Sequence, residues 1–359
     1  MATHAGHGNF FEDFSIGQTI RHATPRTMTA GEAAVYFALT GSRCPSHSSE
    51  VVARTLGYAG RPLDDLLVFN TAFGKTVPDI SLNAIANLGY ADVRFLAPVY
   101  AGDTLSAESV VIGLKENSSG HAGVVYVRSA CRNQHGACVL GWVRWVMVRK
   151  RGAAATSHPP HIPDLPPSVA AEQLVVQPAI RNPRDLAAWC DASGSLRLWD
   201  EFAPGQRIDH PSAMTIEEAD HMSATRLYQN NARVHFDALH MQGSDAGRRL
   251  VYGGHVISVC RALSHDGLEN AIAMLAINGG RHVAPVHAGD TLFACSEVIE
   301  RIEIPGRLDV GALRLRLVGL KNAAPSDVGS LRSGDGTRYH PAVVLDLDYI
   351  VAMPRKQPG

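Results

Sequence analysis

The 359-residue chain has a hydrophobic fraction of 45%, a charged fraction of 19% and a formal net charge of −1 at pH 7. These values are those of a globular protein with a substantial core, and the near-neutral charge excludes a broad basic surface for nucleic acid or an anionic membrane. No run of 18 apolar residues and no apolar N-terminal leader occurs, so we expect a cytoplasmic protein that does not cross a membrane.

Six cysteines are spread along the chain without the C-x-x-C spacing of zinc or redox motifs. Several lie in apolar runs, which predicts buried free thiols in a reducing compartment. The sequence also lacks a Gly-x-Gly-x-x-Gly motif and any compact group of His, Asp and Glu. We therefore expect no metal and no flavin or nicotinamide cofactor.

The chain repeats itself once, at an offset near 188 residues. Residues 11–18 (FEDFSIGQ) return as 199–206 (WDEFAPGQ), and residues 97–105 (APVYAGDTL) return as 284–292 (APVHAGDTL). A repeat of this length predicts two domains of one fold.

The repeat divides the chain into three predicted segments. Residues 1–151 form the first repeat, 152–190 a connector and 191–359 the second repeat. The connector is rich in Pro and Ala, which favours neither a helix nor a central strand, so we expect it to be extended. Such a connector can cross a whole domain. We therefore expect the halves to pack as a pseudo-dimer within one chain, which can itself assemble into a homo-oligomer.

Both repeats show the same predicted order of elements. A short amphipathic helix follows Thr29 or Thr215 as N-cap, and a histidine-containing loop precedes an apolar helix at residues 66–73 or 256–263. Alternating or β-branched runs then predict four strands in each repeat, at residues 91–96, 104–114, 124–131, 139–148, 280–283, 291–304, 311–320 and 342–351. One helix followed by antiparallel strands predicts an α+β fold whose sheet wraps a central helix.

Two stretches of the second repeat combine residues suited to acid–base chemistry. Residues 229–236 (QNNARVHF) place Asn230 five positions before His235, and Gly253 and Gly254 open the apolar helix. A helix entered through glycines presents free backbone N–H groups and the positive end of its dipole, which suits a developing oxyanion. These stretches predict a histidine that faces an oxyanion hole.

The repeated pattern resembles the tandem hotdog of MaoC-like enoyl-CoA hydratases and dehydratases, in which an Asp-x-Asn-Pro-x-His loop precedes a helix entered through a glycine. Within that class the chain is similar to the mesaconyl-CoA hydratase (β-methylmalyl-CoA dehydratase) family. The stretches that carry this similarity are 62–69 (PLDDLLVF), 73–83 (FGKTVPDISLN), 229–236, 253–258 (GGHVIS) and 279–285 (GGRHVAP).

The resemblance covers residues 8–355. It implies a double hotdog in which an antiparallel sheet wraps a long central helix of each repeat. It also implies an acyl-CoA partner and a cofactor-free hydro-lyase that converts mesaconyl-CoA (2-methylfumaryl-CoA) to β-methylmalyl-CoA reversibly.

On the hydratase loop, His47 and His235 fall on the histidine, whereas Ser42 and Asn230 stand at the aspartate position. Neither half keeps the carboxylate. His235 is then either the only acid–base group or is assisted by a carboxylate from elsewhere. Asn230 either orients a water through its amide or caps its loop.

The helix entrances favour the second repeat as the active one. The offset places Asp65 opposite Gly253, and a carboxylate at that point would repel a thioester enolate. We therefore predict His235, Asn230 and Gly254 as the catalytic residues, although Gly254 is alternatively a simple turn glycine.

Further residues are candidates for contacts with substrate or with the phosphates of coenzyme A, because a planar guanidinium grips a carboxylate or phosphate through two hydrogen bonds. These candidates are Gly253, Arg233, Arg249, Arg281, His47 and Arg61. His47 is alternatively a relic of the duplication. Asp64 and Asp65 are either charges at a helix N-terminus or carboxylates lent across the interface of the halves.

Two other functions are compatible with these residues. A hotdog thioesterase would need a carboxylate or polarised water aimed at the thioester carbon, which positions 42 and 230 do not supply. A non-catalytic module would bind acyl-CoA without turnover. Fumaryl-CoA, crotonyl-CoA and itaconyl-type thioesters are alternative substrates.

Overall fold

The computed structural model describes residues 8–152, 159–244 and 246–356, so residues 153–158 of the predicted connector lie outside it. The first repeat contains β1 (Thr19–Arg21), β2 (Arg26–Thr27), α1 (Ala30–Thr40), α2 (Pro45–Ser48), α3 (Glu50–Thr55), α4 (Asp65–Ile80), β3 (Ala84–Phe95), β4 (Thr104–Glu116), β5 (Ala122–Arg132) and β6 (Cys138–Arg149). Helix α5 (Pro183–Ser193) spans the end of the predicted connector and the start of the second repeat. The second repeat contains β7 (Arg207–Asp209), β8 (Met214–Thr215), α6 (Glu218–Leu227), α7 (Ala238–Gln242), α8 (Gly253–Leu263), β9 (Ala273–His282), β10 (Thr291–Ile302), β11 (Val310–Lys321) and β12 (Val343–Pro354). None of the described helices is both long and apolar enough to cross a membrane.

The strands form one antiparallel sheet in the order β1-β4-β5-β6-β3-β9-β12-β11-β10-β7, with β2 and β8 paired to β4 and β10. The two repeats join where β3 pairs with β9, with Tyr90 opposite Gly280 and Val93 opposite Ile277. The central helices α4 and α8 pack against this sheet and against each other. This is the α+β arrangement that the sequence predicts.

Burial follows the two-residue periodicity of the strands. In β12, Tyr349, Val351 and Met353 join the core around the central helices, whereas Ile350 and Ala352 pack with apolar residues of the connector. Successive side chains of a strand point to opposite faces, so the connector covers the face of the sheet that the helices leave open.

The two central helices meet through equivalent residues. Asn70 of α4 and Ser258 of α8 are 188 positions apart, and the Asn70 amide donates to the Ser258 hydroxyl at 3.0 Å and to the Gly254 carbonyl at 3.2 Å. Glycine also lets α4 approach the loop after α6, since a Cβ on Gly74 would lie 1.9 Å from the Tyr228 carbonyl oxygen. These contacts hold α4 beside the first turn of α8 and beside the loop after α6.

Two predictions on helices were wrong. The connector is not extended throughout, because Asn182 caps α5 and Pro183 opens it. Proline fits the first helical position, where no backbone N–H is needed. Thr215 is not an N-cap: it pairs with β10 as part of β8, and α6 starts after Glu217. Thr29 caps α1 as predicted, and the three segment boundaries stay a prediction.

The strands at the junction are longer than predicted. β3 starts at residue 84 instead of 91, and β9 starts at residue 273 instead of 280. The added segments are rich in Ala, Asn and Gly, which disfavour strands. They are extended because neighbouring strands pair with them: residues 84–90 pair with β6, and residues 273–279 pair with β12 and, from Ala276, with β3. Tertiary pairing thus overrides local preference.

Candidate active site

His235 lies on a short 3₁₀ turn, Arg233–His235, after α6. Its Nδ1–H donates to the Leu250 carbonyl at 2.9 Å, which fixes the tautomer and leaves the Nε2 lone pair without a partner among the described residues. Burial lowers the pKa of His235 to about 4. The imidazole is therefore neutral at pH 7 and can act as a base.

A second imidazole, His282 at the end of β9, lies against the same helix entrance. Its ring is 2.5 Å from the position that a Cβ on Gly253 would take, so only glycine allows this approach. The Tyr90 hydroxyl lies 3.4 Å from the His282 Nε2. Desolvation, with a smaller contribution from the neighbouring His235, lowers the pKa of His282 to about 4. The two imidazoles are therefore not protonated together.

The first turn of α8 offers free backbone N–H groups. The helix begins at Gly253, the side chain of the N-cap Tyr252 makes no capping bond, and the first turn holds no acidic residue. Within the described part of the chain, no acceptor bonds the N–H of Gly253 or Gly254. Free N–H groups at the positive end of a helix dipole are the arrangement that stabilises an oxyanion.

The equivalent helix entrance of the first repeat is already occupied. The Asp64 Oδ1 accepts a hydrogen bond at 3.0 Å from the N–H of Leu66, the residue that aligns with Gly254. Asp64 also accepts from the Ser42 hydroxyl at 2.8 Å. The N–H group that would hold an oxyanion here binds a carboxylate instead.

His47, the counterpart of His235, is held in an ion pair. Its Nε2 lies 3.4 Å from the Asp65 Oδ2, which also accepts from the Met274 N–H at 2.7 Å. Burial alone would lower the pKa of His47, but the Asp65 carboxylate outweighs burial and raises it to about 10. His47 is therefore protonated at pH 7. An open cleft of about 430 Å³ lies beside this pair, and its lining includes Tyr36, Arg43, Asp64 and Arg261.

We expect His47→Gln to destabilise the protein most below about pH 6.5. Because the folded state raises the pKa of His47, its stabilisation is fully present below the unfolded pKa of about 6.5 and is lost as the pH rises through about 10. The difference in urea midpoint from the wild type therefore shrinks across that range. The exposed His121→Gln is the control. A difference that stayed constant from about pH 6 to pH 10 would contradict the ion pair.

Asn230 is buried at the start of the His235 loop. Its Oδ1 accepts from the Ala232 N–H at 2.9 Å, which is the capping bond of a tight loop. The capping role of Asn230 is thus observed, and its use of Nδ2 to orient a water stays a prediction.

The predicted arginine contacts are divided between the two halves. Arg233 is exposed on the His235 turn, and Arg281 is exposed on β9. Arg249 is ion-paired to a glutamate of α6 and donates to a loop carbonyl, so its charge is engaged. Arg61 donates to the His47 carbonyl at 3.3 Å and so lies in the first repeat. Neither Arg61 nor His47 is brought to the His235 site.

Sequence reasoning missed His282 and Tyr90. The repeat contained a signal for His282, because its equivalent in the first half at an offset of 187 is Phe95, an apolar residue. No pattern in the sequence gave the β3–β9 register that brings Tyr90 to it.

Within the described ranges, no three His, Cys, Asp or Glu side chains converge as metal ligands. All six cysteines are free thiols, as predicted, and four of them are buried: Cys131, Cys190, Cys260 and Cys295.

Comparison with known proteins supports one family over the whole chain. The family model described as mesaconyl-CoA hydratase matches residues 2–332. A β-methylmalyl-CoA dehydratase from Chloroflexus aurantiacus is 53% identical over 357 residues, which cover 99% of this chain and 100% of the relative. A mesaconyl-CoA hydratase from Cereibacter sphaeroides is 52% identical over 358 residues, with the same coverage of 99% and 100%.

Solved structures confirm the tandem hotdog prediction. A crystal structure from Chloroflexus aurantiacus, described as a MaoC domain protein dehydratase, superposes with a TM-score of 0.94 at 53% identity and covers 98% of this chain and 99% of that chain. A conserved hypothetical protein from Mycobacterium tuberculosis with a double hotdog fold superposes with a TM-score of 0.73 at 26% identity, covering 97% and 99%. With both the family model and two full-length relatives in agreement, the chain belongs to the mesaconyl-CoA hydratase family.

Proposed function

We propose that this chain catalyses the reversible hydration of mesaconyl-CoA to β-methylmalyl-CoA at the His235 site. Two relatives that match its full length carry the names of this reaction in its two directions. The observation that carries the choice of site is the contrast between the helix entrances. The Gly254 N–H is free beside a neutral histidine, whereas the Leu66 N–H is capped by Asp64 beside an ion-paired one.

The arrangement supplies what the hydration of a conjugated thioester needs. The His235 Nε2 takes a proton from water as the water oxygen bonds to the β-carbon, and the electrons of the double bond move toward the thioester oxygen. The Gly254 N–H donates to that oxygen as negative charge develops. The imidazolium then returns a proton to the α-carbon, which gives the β-hydroxyacyl-CoA. Dehydration follows the reverse path.

Because burial lowers the pKa of His235, the imidazolium formed in the first step readily returns its proton to the α-carbon. The neutral His282 imidazole beside Tyr90 is a second polar group that can hold the water. Among the described residues, the hydrogen bonds and ion pairs of Asp64 and Asp65 lie at the other helix entrance, and none of them involves His235.

Two exposed arginines at the edge of this site are candidates for contacts with coenzyme A. Arg233 is exposed two positions before His235, where a guanidinium can meet a phosphate. Arg281 is exposed on β9 next to His282 in the chain. We assign both arginines to contacts with the phosphates of coenzyme A.

The assembly of this chain into a homo-oligomer stays a prediction.

The test follows the absorbance of the conjugated thioester when the purified chain meets mesaconyl-CoA, with a thiol reagent in a parallel sample. We expect the absorbance to fall to an equilibrium value without release of free thiol, and the same ratio of products when the reaction starts from β-methylmalyl-CoA. Release of free thiol would favour a thioesterase instead. Saturable binding with unchanged absorbance would favour a non-catalytic module.

A further inference from the structure

Arg144 of β6 is a fully buried arginine without an acidic partner in the described residues. Its side chain has an exposed fraction of 0%. Its Nη1 lies 3.4 Å from the Ser81 hydroxyl and its Nη2 lies 3.4 Å from the Thr76 carbonyl, both longer than the usual ~2.9 Å. Its Nε has no hydrogen-bond partner. The guanidinium is thus poorly satisfied by the protein that surrounds it.

A buried cation is retained when another group pairs with it. Burial lowers the pKa of Arg144 to about 9, so the side chain is still charged at neutral pH. The guanidinium lies at the C-terminal end of α4, where the negative end of the helix dipole favours a cation. Its two contacts there are long, however, and they leave most of its five N–H groups without an acceptor. This points to an anion that arrives from outside the chain.

The strand register places Arg144 in the same row as the residues of the site. Arg144 of β6 is opposite Tyr90 of β3, and Tyr90 is opposite Gly280 of β9. Residues opposite each other in antiparallel strands point to the same face of the sheet, and His282 follows Gly280 by two positions on that face. Arg144, Tyr90 and His282 therefore line one wall.

Aromatic rings connect this wall to the proposed base. The guanidinium carbon of Arg144 lies 4.3 Å from the centre of the Phe73 ring. The Phe73 ring is 6.4 Å from the Tyr252 ring, and the Tyr252 ring is 5.4 Å from the His235 imidazole. The Phe73 and Tyr252 rings thus lie between the Arg144 guanidinium and the His235 imidazole.

In the second repeat, the position equivalent to Arg144 holds an aromatic residue and the position equivalent to Phe73 holds an arginine. Tyr349 takes the strand position of Arg144, since their strand partners Leu315 and Val127 are 188 residues apart. Arg261, 188 positions after Phe73, lies near Tyr349 and lines the open first-repeat cleft. Arg261, which is only partly buried, therefore provides the control: a cation at the equivalent place in the other half.

We propose that Arg144 pairs with the free carboxylate of the substrate, so that the His235 site takes dicarboxylic acyl thioesters in preference to monocarboxylic ones. This assignment rests on the function proposed above. The planar guanidinium can bind a carboxylate through two hydrogen bonds and is then no longer an uncompensated buried charge. A neutral acyl tail leaves the same charge unpaired, and a site built for a polar group rejects the analogue that lacks it.

The test compares kcat/KM for mesaconyl-CoA and for crotonyl-CoA in the wild type, Arg144→Met, Arg144→Lys and Arg261→Met. We expect the wild type to favour mesaconyl-CoA. Arg144→Met should lower kcat/KM for mesaconyl-CoA by about 10²-fold or more, with a much smaller change for crotonyl-CoA. Arg144→Lys should recover part of the preference, and Arg261→Met should keep it.

Each other outcome has a defined meaning. Equal losses for both thioesters in folded Arg144→Met and Arg144→Lys would reduce Arg144 to a structural role and overturn the proposal. A wild type that hydrates crotonyl-CoA as well as mesaconyl-CoA would overturn it without any variant. A shift of preference in Arg261→Met but not in Arg144→Met would move the carboxylate site to the first-repeat cleft. A wild type that hydrates neither thioester would refute the proposed function itself.

Discussion

Replacing His235 with glutamine should lower kcat for the hydration of mesaconyl-CoA by about 10²–10⁴-fold, the usual contribution of a positioned general base. Glutamine keeps a donor of similar reach toward the Leu250 carbonyl but has no lone pair of comparable basicity to replace the His235 Nε2. KM should change far less than kcat, because the oxyanion donors and the contacts to coenzyme A remain. The measurement is the steady-state rate of absorbance loss at saturating thioester.

His47→Gln is the informative comparison for this loss, because His47 occupies the equivalent place in the other half. We expect it to lose stability and to lose much less activity than His235→Gln, since its imidazole is tied to Asp65 and already protonated. If His47→Gln were the variant that lost turnover while His235→Gln kept it, the active site would lie at the first-repeat cleft.

Gly254→Ala should reduce both stability and turnover. A Cβ at this position would lie 2.0 Å from the Asn70 Oδ1 and 2.4 Å from the Tyr252 ring, in the contact between the two central helices. Overpacking of this kind typically costs about 1–3 kcal/mol. Because the first turn of α8 must shift, its N–H leaves the position that meets the oxyanion, and we expect kcat to fall by about tenfold or more. Urea unfolding and steady-state rates measure the two effects.

A second substitution separates packing from catalysis at this position. Asn70→Ala removes the atom that the new Cβ meets first, so the double variant should recover part of the stability lost in Gly254→Ala. Gly31→Ala, in the exposed first turn of α1, is the matched control and should lose neither property. Full wild-type turnover in a folded Gly254→Ala protein would contradict the role of the helix entrance.

The repeat made most of the architecture predictable. One conserved spacing between equivalent segments, such as 97–105 and 284–292, predicts two copies of one fold, and the apolar run before Leu263 predicts a buried central helix. The helix entrance was predictable for the same reason, because the glycine pair at 253–254 aligns with Asp65 and Leu66 in the other copy, where an acidic residue stands opposite Gly253. The residue types in each segment and the comparison of the two repeats were enough to predict these features.

The remaining features depend on contacts between distant segments. The capping of Leu66 by Asp64 and the ion pair of His47 require a folded helix entrance, and the sequence shows only that acids and histidines are present. The position of Arg144 is harder still to predict, since an arginine in an apolar strand gives no sign of which face it takes. It became a candidate only when the register placed it opposite Tyr90.

The central claim is that the second helix entrance, and not the first, holds the thioester. The most direct measurement is a crystal structure of His235→Gln with mesaconyl-CoA bound, since the slow variant should keep the substrate intact. We predict that the thioester oxygen lies within hydrogen-bond distance of the Gly254 N–H, with the free carboxylate directed toward Arg144. A thioester bound in the cleft beside His47, with its oxygen at the Leu66 N–H in place of Asp64, would contradict the account.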